Sequence, residues 1–160
     1  MKKTKSRKPV SRTASVAPAR RGGPAIPAAI RPGLTASVER EVPLEWTLAH
    51  FNPNLPLVFS TPAMIGMMEL AASQAVQPGL TPGTITVGTR IEVDHLKAVP
   101  AGARVQASAR LQKIAGRFLA FAVEARSGDQ LIGRGRVFRA IVEPKGFTAQ
   151  AHQRTRKSAE

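Results

Sequence analysis

The distribution of apolar positions is most distinctive over residues 61–76, where apolar and small side chains follow one another with a single charge among them. The run is long enough for about four helical turns. Its first residues, Thr61-Pro62, are typical of an N-cap followed by a first-turn proline. Pro78-Gly79 then indicates a loop. Because a helix that is apolar on nearly every side is a buried one, the pattern predicts a long buried helix ending near Val76.

Alternating apolar residues after this helix predict antiparallel strands. The residues expected to share a face within each strand are Ile85, Val87, Thr89, Ile91, Val93 and His95, then Val105, Ala107, Ala109 and Leu111, then Leu119, Phe121, Val123 and Ala125. A last strand is expected over residues 131–142, and one strand before the helix, within residues 35–48. One long helix against a curved five-stranded antiparallel sheet is a two-layer α+β domain.

The single charge in the apolar helix belongs to Glu69, which is the only charged residue between Thr61 and Thr89. A lone buried carboxylate loses several kcal/mol of hydration unless it is paired or protonated. We therefore interpret Glu69 as the first candidate for chemistry, and we expect its carboxylate to have few hydrogen-bond partners within the protein.

The net charge of +14 initially suggests a nucleic-acid-binding protein, but its distribution argues against that class. Residues 1–33 contain nine basic and no acidic side chains, and residues 145–160 contain four basic and one acidic. Residues 34–144 contain eleven basic and nine acidic side chains and are therefore nearly neutral. We predict a disordered basic extension over residues 1–33, a folded domain over 34–148 and a flexible basic tail over 149–160.

The extension lacks the apolar segment of a secretory signal, whereas its Arg-, Ser- and Ala-rich, acid-free composition also resembles an organellar transit peptide. Its prolines oppose the amphipathic helix that such a peptide needs, so a solvated extension is the favoured interpretation. The absence of cysteine fits a reducing compartment and excludes disulfides and Cys-based zinc sites. We expect a cytoplasmic protein that does not insert into membranes and binds nucleic acid, if at all, non-specifically through its tails.

Three residues form the candidate catalytic constellation: Thr61, Glu69 and His95. Thr61 and Glu69 are separated by about 80° around the helix and roughly 12 Å along it, so they would touch only through a distorted helix start or a partner protomer. His95 is expected on the strand face that meets the helix, where an imidazole near a carboxylate can form an acid–base pair. Each residue also has a structural interpretation: Thr61 as an N-cap, Glu69 as an interface carboxylate and His95 as a strand-end residue bonded to a carbonyl.

Three segments carry a resemblance to a known family: Val58-Phe-Ser-Thr-Pro-Ala-Met-Ile-Gly-Met-Met-Glu69, Val87-Gly-Thr-Arg-Ile-Glu-Val-Asp-His95-Leu-Lys-Ala-Val-Pro-Ala-Gly102 and Ile132-Gly-Arg-Gly135. They resemble hot-dog-fold thioesterases of the fluoroacetyl-CoA thioesterase type over residues 35–148. The resemblance implies a long helix wrapped by a five-stranded antiparallel sheet. It also implies a homodimer, or a higher oligomer, with active sites at the subunit interface.

The resemblance also assigns site residues. Thr61, Glu69 and His95 match the catalytic threonine, glutamate and histidine, and Gly88 matches a glycine beside the reacting thioester. Arg139 matches an arginine that is either structural or in contact with the coenzyme. Phe59, with Phe51, is a candidate for a lid or the acyl pocket, and Met64 for pocket lining. Arg136-Val137-Phe138-Arg139 departs from the family's frequent Thr-His-Glu-Arg, so the contacts of that histidine and glutamate are not carried over. Fluoroacetyl selectivity is not carried over either, because no residue matches the family's lid.

The implied reaction is hydrolysis of a small acyl-CoA thioester to a free acid and CoA, with Glu69 as nucleophile or as general base on water. It requires no cofactor or metal, because coenzyme A is part of the substrate. The alternatives are a non-catalytic acyl-CoA-binding module and a hot-dog hydratase or dehydratase. Hydratases use an Asp and a His from one short segment, but strict alternation directs Asp94 and His95 to opposite faces.

Overall fold

The computed structural model describes residues 24–145. Its elements, in chain order, are strand β1 (Thr35–Glu41), a short helix α1 (Leu48–Phe51), the long helix α2 (Thr61–Val76), and strands β2 (Ile85–His95), β3 (Arg104–Ala115), β4 (Phe118–Ser127) and β5 (Gln130–Val142). Single 3-10 turns precede α1 at Leu44–Trp46 and follow α2 at Gln77–Gly79. The predicted two-layer α+β architecture is confirmed.

The five strands form one antiparallel sheet in the order β1-β3-β4-β5-β2, and α2 packs mainly against β1 and β3. The faces predicted for β3 and β4 are confirmed, since their alternate residues are buried, among them Val105, Leu111 and Phe121. The side of α2 that faces the sheet includes three buried methionines, Met64, Met67 and Met68. Burial of each such side chain stabilises the fold by about 1.5–3 kcal/mol. The core therefore lies between α2 and the centre of the sheet.

Strand β2 departs from the predicted alternation because the chain contains a β-bulge. The register shifts between Gly88, which pairs with Arg139, and Arg90, which pairs with Phe138, so Thr89 is the extra residue. Ile91, Val93 and His95 lie on the helix side as predicted, opposite Val137, Gly135 and Gly133 of β5. The prediction that Ile85 and Val87 share that side is wrong, because before the bulge the buried position belongs to Thr86.

The start of α2 also differs from the prediction in one respect. The helix spans the predicted residues, but its N-cap is Ser60, whose hydroxyl accepts a hydrogen bond from the Ala63 amide at 3.4 Å. Thr61 is the first helical residue, so its hydroxyl is not the cap. The prediction that the helix is buried on every side is also wrong for this chain, since Leu70 is 43% exposed.

The folded domain begins earlier than predicted. Ile30, assigned from the sequence to the disordered extension, is 4% exposed and belongs to the core. The Gly33 amide donates to the Leu111 carbonyl at 2.8 Å, and a Cβ on Gly79 would lie 2.8 Å from Ile30 Cδ1. Residues 24–33 therefore pack against the domain. The predictions for residues 1–23 and for the tail at 149–160 lie outside the described residues.

Candidate active site

Thr61 and His95 meet where the start of α2 lies beside the end of β2. Thr61 Oγ1 and His95 Nδ1 are 2.9 Å apart, which is a hydrogen bond. Because Ser60 caps the helix, the Thr61 hydroxyl is available for this contact. The other ring nitrogen, His95 Nε2, is buried and has no hydrogen-bond partner among residues 24–145. The imidazole is thus oriented through one nitrogen and can exchange a proton with a ligand through the other.

Glu69 lies two turns further along α2, against Gly88 and Arg139. Its Oε1 is 3.0 Å from Arg139 Nη1, and the Glu69 and Arg139 side chains are 29% and 8% exposed. Among residues 24–145 the carboxylate thus has few hydrogen-bond partners, as expected, but the one partner is a buried arginine, which compensates its charge. A Cβ on Gly88 would lie only 2.3 Å from Glu69 Oε1, so the missing side chain is what admits the carboxylate to the β2 backbone.

Arg139 is positioned by β5 and held by β2. Its Nε donates to Thr86 Oγ1 at 3.0 Å and its Nη2 to the Thr86 carbonyl at 2.9 Å, while Nη1 donates to Glu69 Oε1. Burial lowers the pKa of the Arg139 guanidinium from its usual value, and the Glu69 carboxylate partly offsets this by raising that pKa. Of the two roles that the sequence left open for Arg139, these contacts support the structural one.

The two halves of the candidate site are far apart within the chain. Thr61 and Glu69 are eight residues apart on α2, which corresponds to roughly 12 Å along the helix axis. On β5, the residues that pair with Gly88 and His95 are Arg139 and Gly133, six residues or about 20 Å apart. At these separations Glu69 and His95 of the same chain are too far apart to contact one reacting atom of a ligand.

A cavity of about 290 Å³ opens beside the Thr61–His95 pair. Its lining residues are Leu48, Val58, Phe59, Thr61, His95, Leu96, Lys97 and Ala98. Phe59 is 1% exposed, and its ring lies 6.4 Å from the His95 ring in an edge-to-face arrangement. The Phe59 ring thus packs against the His95 imidazole and helps to hold it in place. Phe51 is 64% exposed and stands apart from this cavity.

Met64 lies in the core and not along this cavity. It is fully buried, and a Cβ on Gly133 would lie 2.4 Å from Met64 Sδ. Thr86, which the sequence reasoning missed, is 7% exposed and bonds Arg139. Thr86 precedes Gly88 by two residues and therefore lies on the same face of β2, and this spacing is the sequence signal that could have identified it. The prediction of unbroken alternation up to His95 placed both residues on the opposite face.

Two further observations bear on the site class. Within residues 24–145, no group of three or more His, Asp or Glu side chains is placed to hold a metal ion. The helices of the described part of the chain are all too short or too polar to cross a bilayer. Asp94 is exposed, whereas the adjacent His95 contacts α2 through Thr61, so these two residues do not converge on one ligand.

Comparisons with known proteins agree with this architecture. The model of the fluoroacetyl-CoA-specific thioesterase family matches residues 44–145. A fluoroacetyl-CoA thioesterase from Streptantibioticus cattleyicolor is 38% identical over 120 residues, which are 71% of this chain and 86% of the relative.

Solved structures match over most of the described residues. A fluoroacetyl-CoA thioesterase structure has a TM-score of 0.73 and 35% identity, covering 78% of this chain and 96% of its own. A thioesterase superfamily member from Thermus thermophilus has a TM-score of 0.75 and 30% identity, covering 82% and 98%. A hot-dog-like protein from Thermanaerovibrio acidaminovorans, at 20% identity and a TM-score of 0.72 over 79% and 93%, shares the fold. The chain therefore belongs to the fluoroacetyl-CoA-specific thioesterase family and has its hot-dog fold.

Proposed function

We propose that this protein hydrolyses a small acyl-CoA thioester to a carboxylic acid and CoA, and that Thr61, Glu69 and His95 carry the reaction. The observation that supports this most directly is the Thr61–His95 hydrogen bond of 2.9 Å beside an apolar cavity. A hydroxyl that orients an imidazole, with the second ring nitrogen unpaired, is the arrangement needed to transfer a proton to or from a bound ligand.

In this reaction a Glu69 oxygen either attacks the thioester carbonyl carbon or takes a proton from the water that attacks it. Arg139 engages Oε1, so Oε2 is the oxygen assigned to this step. The C–S bond breaks, and the His95 imidazolium gives its Nε2 proton to the departing thiolate. In the nucleophilic route, water then cleaves the mixed anhydride to the carboxylic acid and the Glu69 carboxylate, and the proton that the water releases returns to His95. In the general-base route, the proton that Glu69 takes from water returns to His95 instead. The Gly88 amide and the positive end of the α2 dipole are assigned to the developing oxyanion.

The separation of the two halves supports a site assembled from two protomers, with Glu69 and Gly88 from one chain and Thr61 and His95 from the other. Exposed apolar side chains beside these halves, including Leu70 at 43% and Ile91 at 40%, fit burial in a homodimer. The substrate cavity next to His95 would then face the Glu69 carboxylate of the second chain.

Co-expression of two inactive variants tests this assembly. Glu69→Gln and His95→Ala should each lack activity as homodimers, while a mixed dimer should contain one site with both native residues. Random pairing of equal amounts produces half mixed dimers, so activity should return to about one quarter of the wild-type value per chain. No recovery in a purified mixed dimer would show that both residues serve the same site from one chain.

A thiol-release assay tests the function itself. We expect CoA release from short, branched, aromatic or halogenated acyl-CoAs by the wild type, and near-complete loss in Glu69→Gln. Glutamine keeps a carbonyl oxygen as acceptor for Arg139 Nη1, so the variant should remain folded, which its thermal unfolding midpoint will check. Binding of acyl-CoA without thiol release by the wild type would instead establish a non-catalytic acyl-CoA-binding module.

A further inference from the structure

The Arg139 guanidinium bridges a strand and a helix through all three of its nitrogens. Nε and Nη2 donate to the hydroxyl and carbonyl of Thr86, and Nη1 donates to Oε1 of Glu69, with the Glu69 carbonyl a further 3.4 Å contact. Arg139 and Thr86 are each 7% exposed. The orientation of the guanidinium is thus fixed by hydrogen bonds both to a β2 residue and to the candidate catalytic carboxylate.

Thr86 is in turn backed by α2. Ser73 Oγ lies 3.4 Å from Thr86 Oγ1, and Ser73 is one helical turn beyond Glu69 on the same helix. Since the Arg139 Nε–H is an obligate donor, the Thr86 oxygen must accept from it and can still donate its own proton to Ser73. The contacts therefore run from Glu69 through Arg139 and Thr86 back to the helix that carries Glu69.

We propose that Thr86, supported by Ser73, is a positioning residue for Glu69 that acts through Arg139. The inference rests on the proposed thioesterase function. By occupying Nε and Nη2, Thr86 limits Arg139 to a single contact with the carboxylate, through Oε1, and leaves Oε2 for the reaction. Arginine otherwise favours bidentate pairing with both carboxylate oxygens.

The expected consequence of losing the hydroxyl follows from this geometry. Without Thr86 Oγ1, the Nε–H would be an unpaired donor of a buried cation, which is unfavourable. The nearest acceptor of suitable charge is the Glu69 carboxylate, so the guanidinium should rotate to engage both of its oxygens. Oε2 would then be withdrawn from the thioester while the acyl cavity beside His95 stays unchanged. The effect should appear in kcat and leave KM nearly unaltered.

The test compares Thr86→Val with Thr86→Ser in the thiol-release assay. Valine matches threonine in shape and strand preference but removes the hydroxyl, whereas serine retains it. We expect kcat to fall about tenfold in Thr86→Val with KM within about twofold, and Thr86→Ser to recover most of the loss. Thermal unfolding of each variant must show that both are folded at the assay temperature.

A second background shows whether Thr86 acts through Arg139. In Arg139→Lys the planar fork is absent, so adding Thr86→Val should change kcat by less than about twofold. An unchanged kcat in Thr86→Val, or an equal loss in both backgrounds, would overturn the positioning role while the function stands. Absence of thiol release by the wild type would instead overturn the proposed function and, with it, this role.

Discussion

The close approach of Glu69 to Gly88 makes Gly88→Ala a quantitative test of the site. The backbone at Gly88 does not have a positive φ, so alanine is compatible with its conformation. The added Cβ, however, would lie 2.3 Å from Glu69 Oε1, 3.1 Å from Cδ and 3.2 Å from Oε2. Ordinary contacts begin at about 3.4 Å, so the carboxylate must retreat by about 1 Å. The substitution therefore acts on the position of the Glu69 carboxylate, with little demand on the backbone.

The size of the effect can be estimated from that displacement. A misplacement of about 1 Å in a catalytic group can cost on the order of a hundredfold in rate, equivalent to about 2.7 kcal/mol of transition-state stabilisation. The loss should fall mainly on kcat, because the cavity beside His95, which we propose receives the substrate, lies in the other half of the site. Alanine in a strand is favoured over glycine by roughly 0.5–1 kcal/mol, which offsets part of any weakening of the Glu69–Arg139 contact.

The assay is steady-state thiol release together with calorimetric unfolding, with Gly79→Ala as the matched control. There the new Cβ would meet Ile30 Cδ1 at 2.8 Å, away from the site, so the unfolding midpoint should fall while kcat is retained. Gly88→Ala should show the opposite pattern. A kcat within about threefold of the wild type would refute the reasoning, because the carboxylate could not then depend on its contact with Gly88.

Four further predictions concern the framework of the site and the two hydroxyl residues at the start of α2. Gly135→Ala should lower the calorimetric unfolding midpoint by roughly 10 °C, because its Cβ would lie 2.1 Å from the Glu92 carbonyl, a backbone atom that cannot move aside cheaply. Ile30→Ala should cost about 2–4 kcal/mol in urea unfolding with activity unchanged, and a neutral result would contradict the packing of residues 24–33. Ser60→Ala should cost about 1 kcal/mol through loss of the helix cap, whereas Thr61→Val should instead lower kcat about a hundredfold, with recovery in Thr61→Ser.

The sequence predicted the elements well where one physical requirement dominates. The apolar run from Thr61 and the alternation in β3 and β4 each have a single explanation, burial against the other layer, and both predictions are confirmed. At Ser60-Thr61, two adjacent hydroxyl residues compete for the cap, and the preference for serine over threonine at this position is too small to decide between them. The structure assigns the cap to Ser60 because Thr61 has a partner from β2, a long-range contact that local sequence does not contain.

The partners of Glu69 were beyond sequence reasoning for a similar reason. Residues 69, 86 and 139 are separated by at least seventeen positions, and their contacts exist only after β2 pairs with β5. A burial argument drew attention to Glu69, whose side chain is in fact 29% exposed, but it could not tell whether a cation, a proton or a ligand would compensate the charge. The nearly neutral composition of residues 34–144 gave no sign that one of its arginines is buried.

The bulge at Thr89 reconciles the sequence pattern with the site. Gly88 and His95 are seven residues apart, and strict alternation would place them on opposite faces of β2. Because Thr89 is inserted into the pairing, Gly88 lies opposite Arg139 and His95 opposite Gly133, both on the side of α2. One extra residue thus allows a single strand to present a glycine to Glu69 at one end and a histidine to Thr61 at the other. An edge strand can accept this insertion because only β5 must adjust to it. The β-bulge that made the predicted alternation of β2 wrong is therefore required by the proposed chemistry.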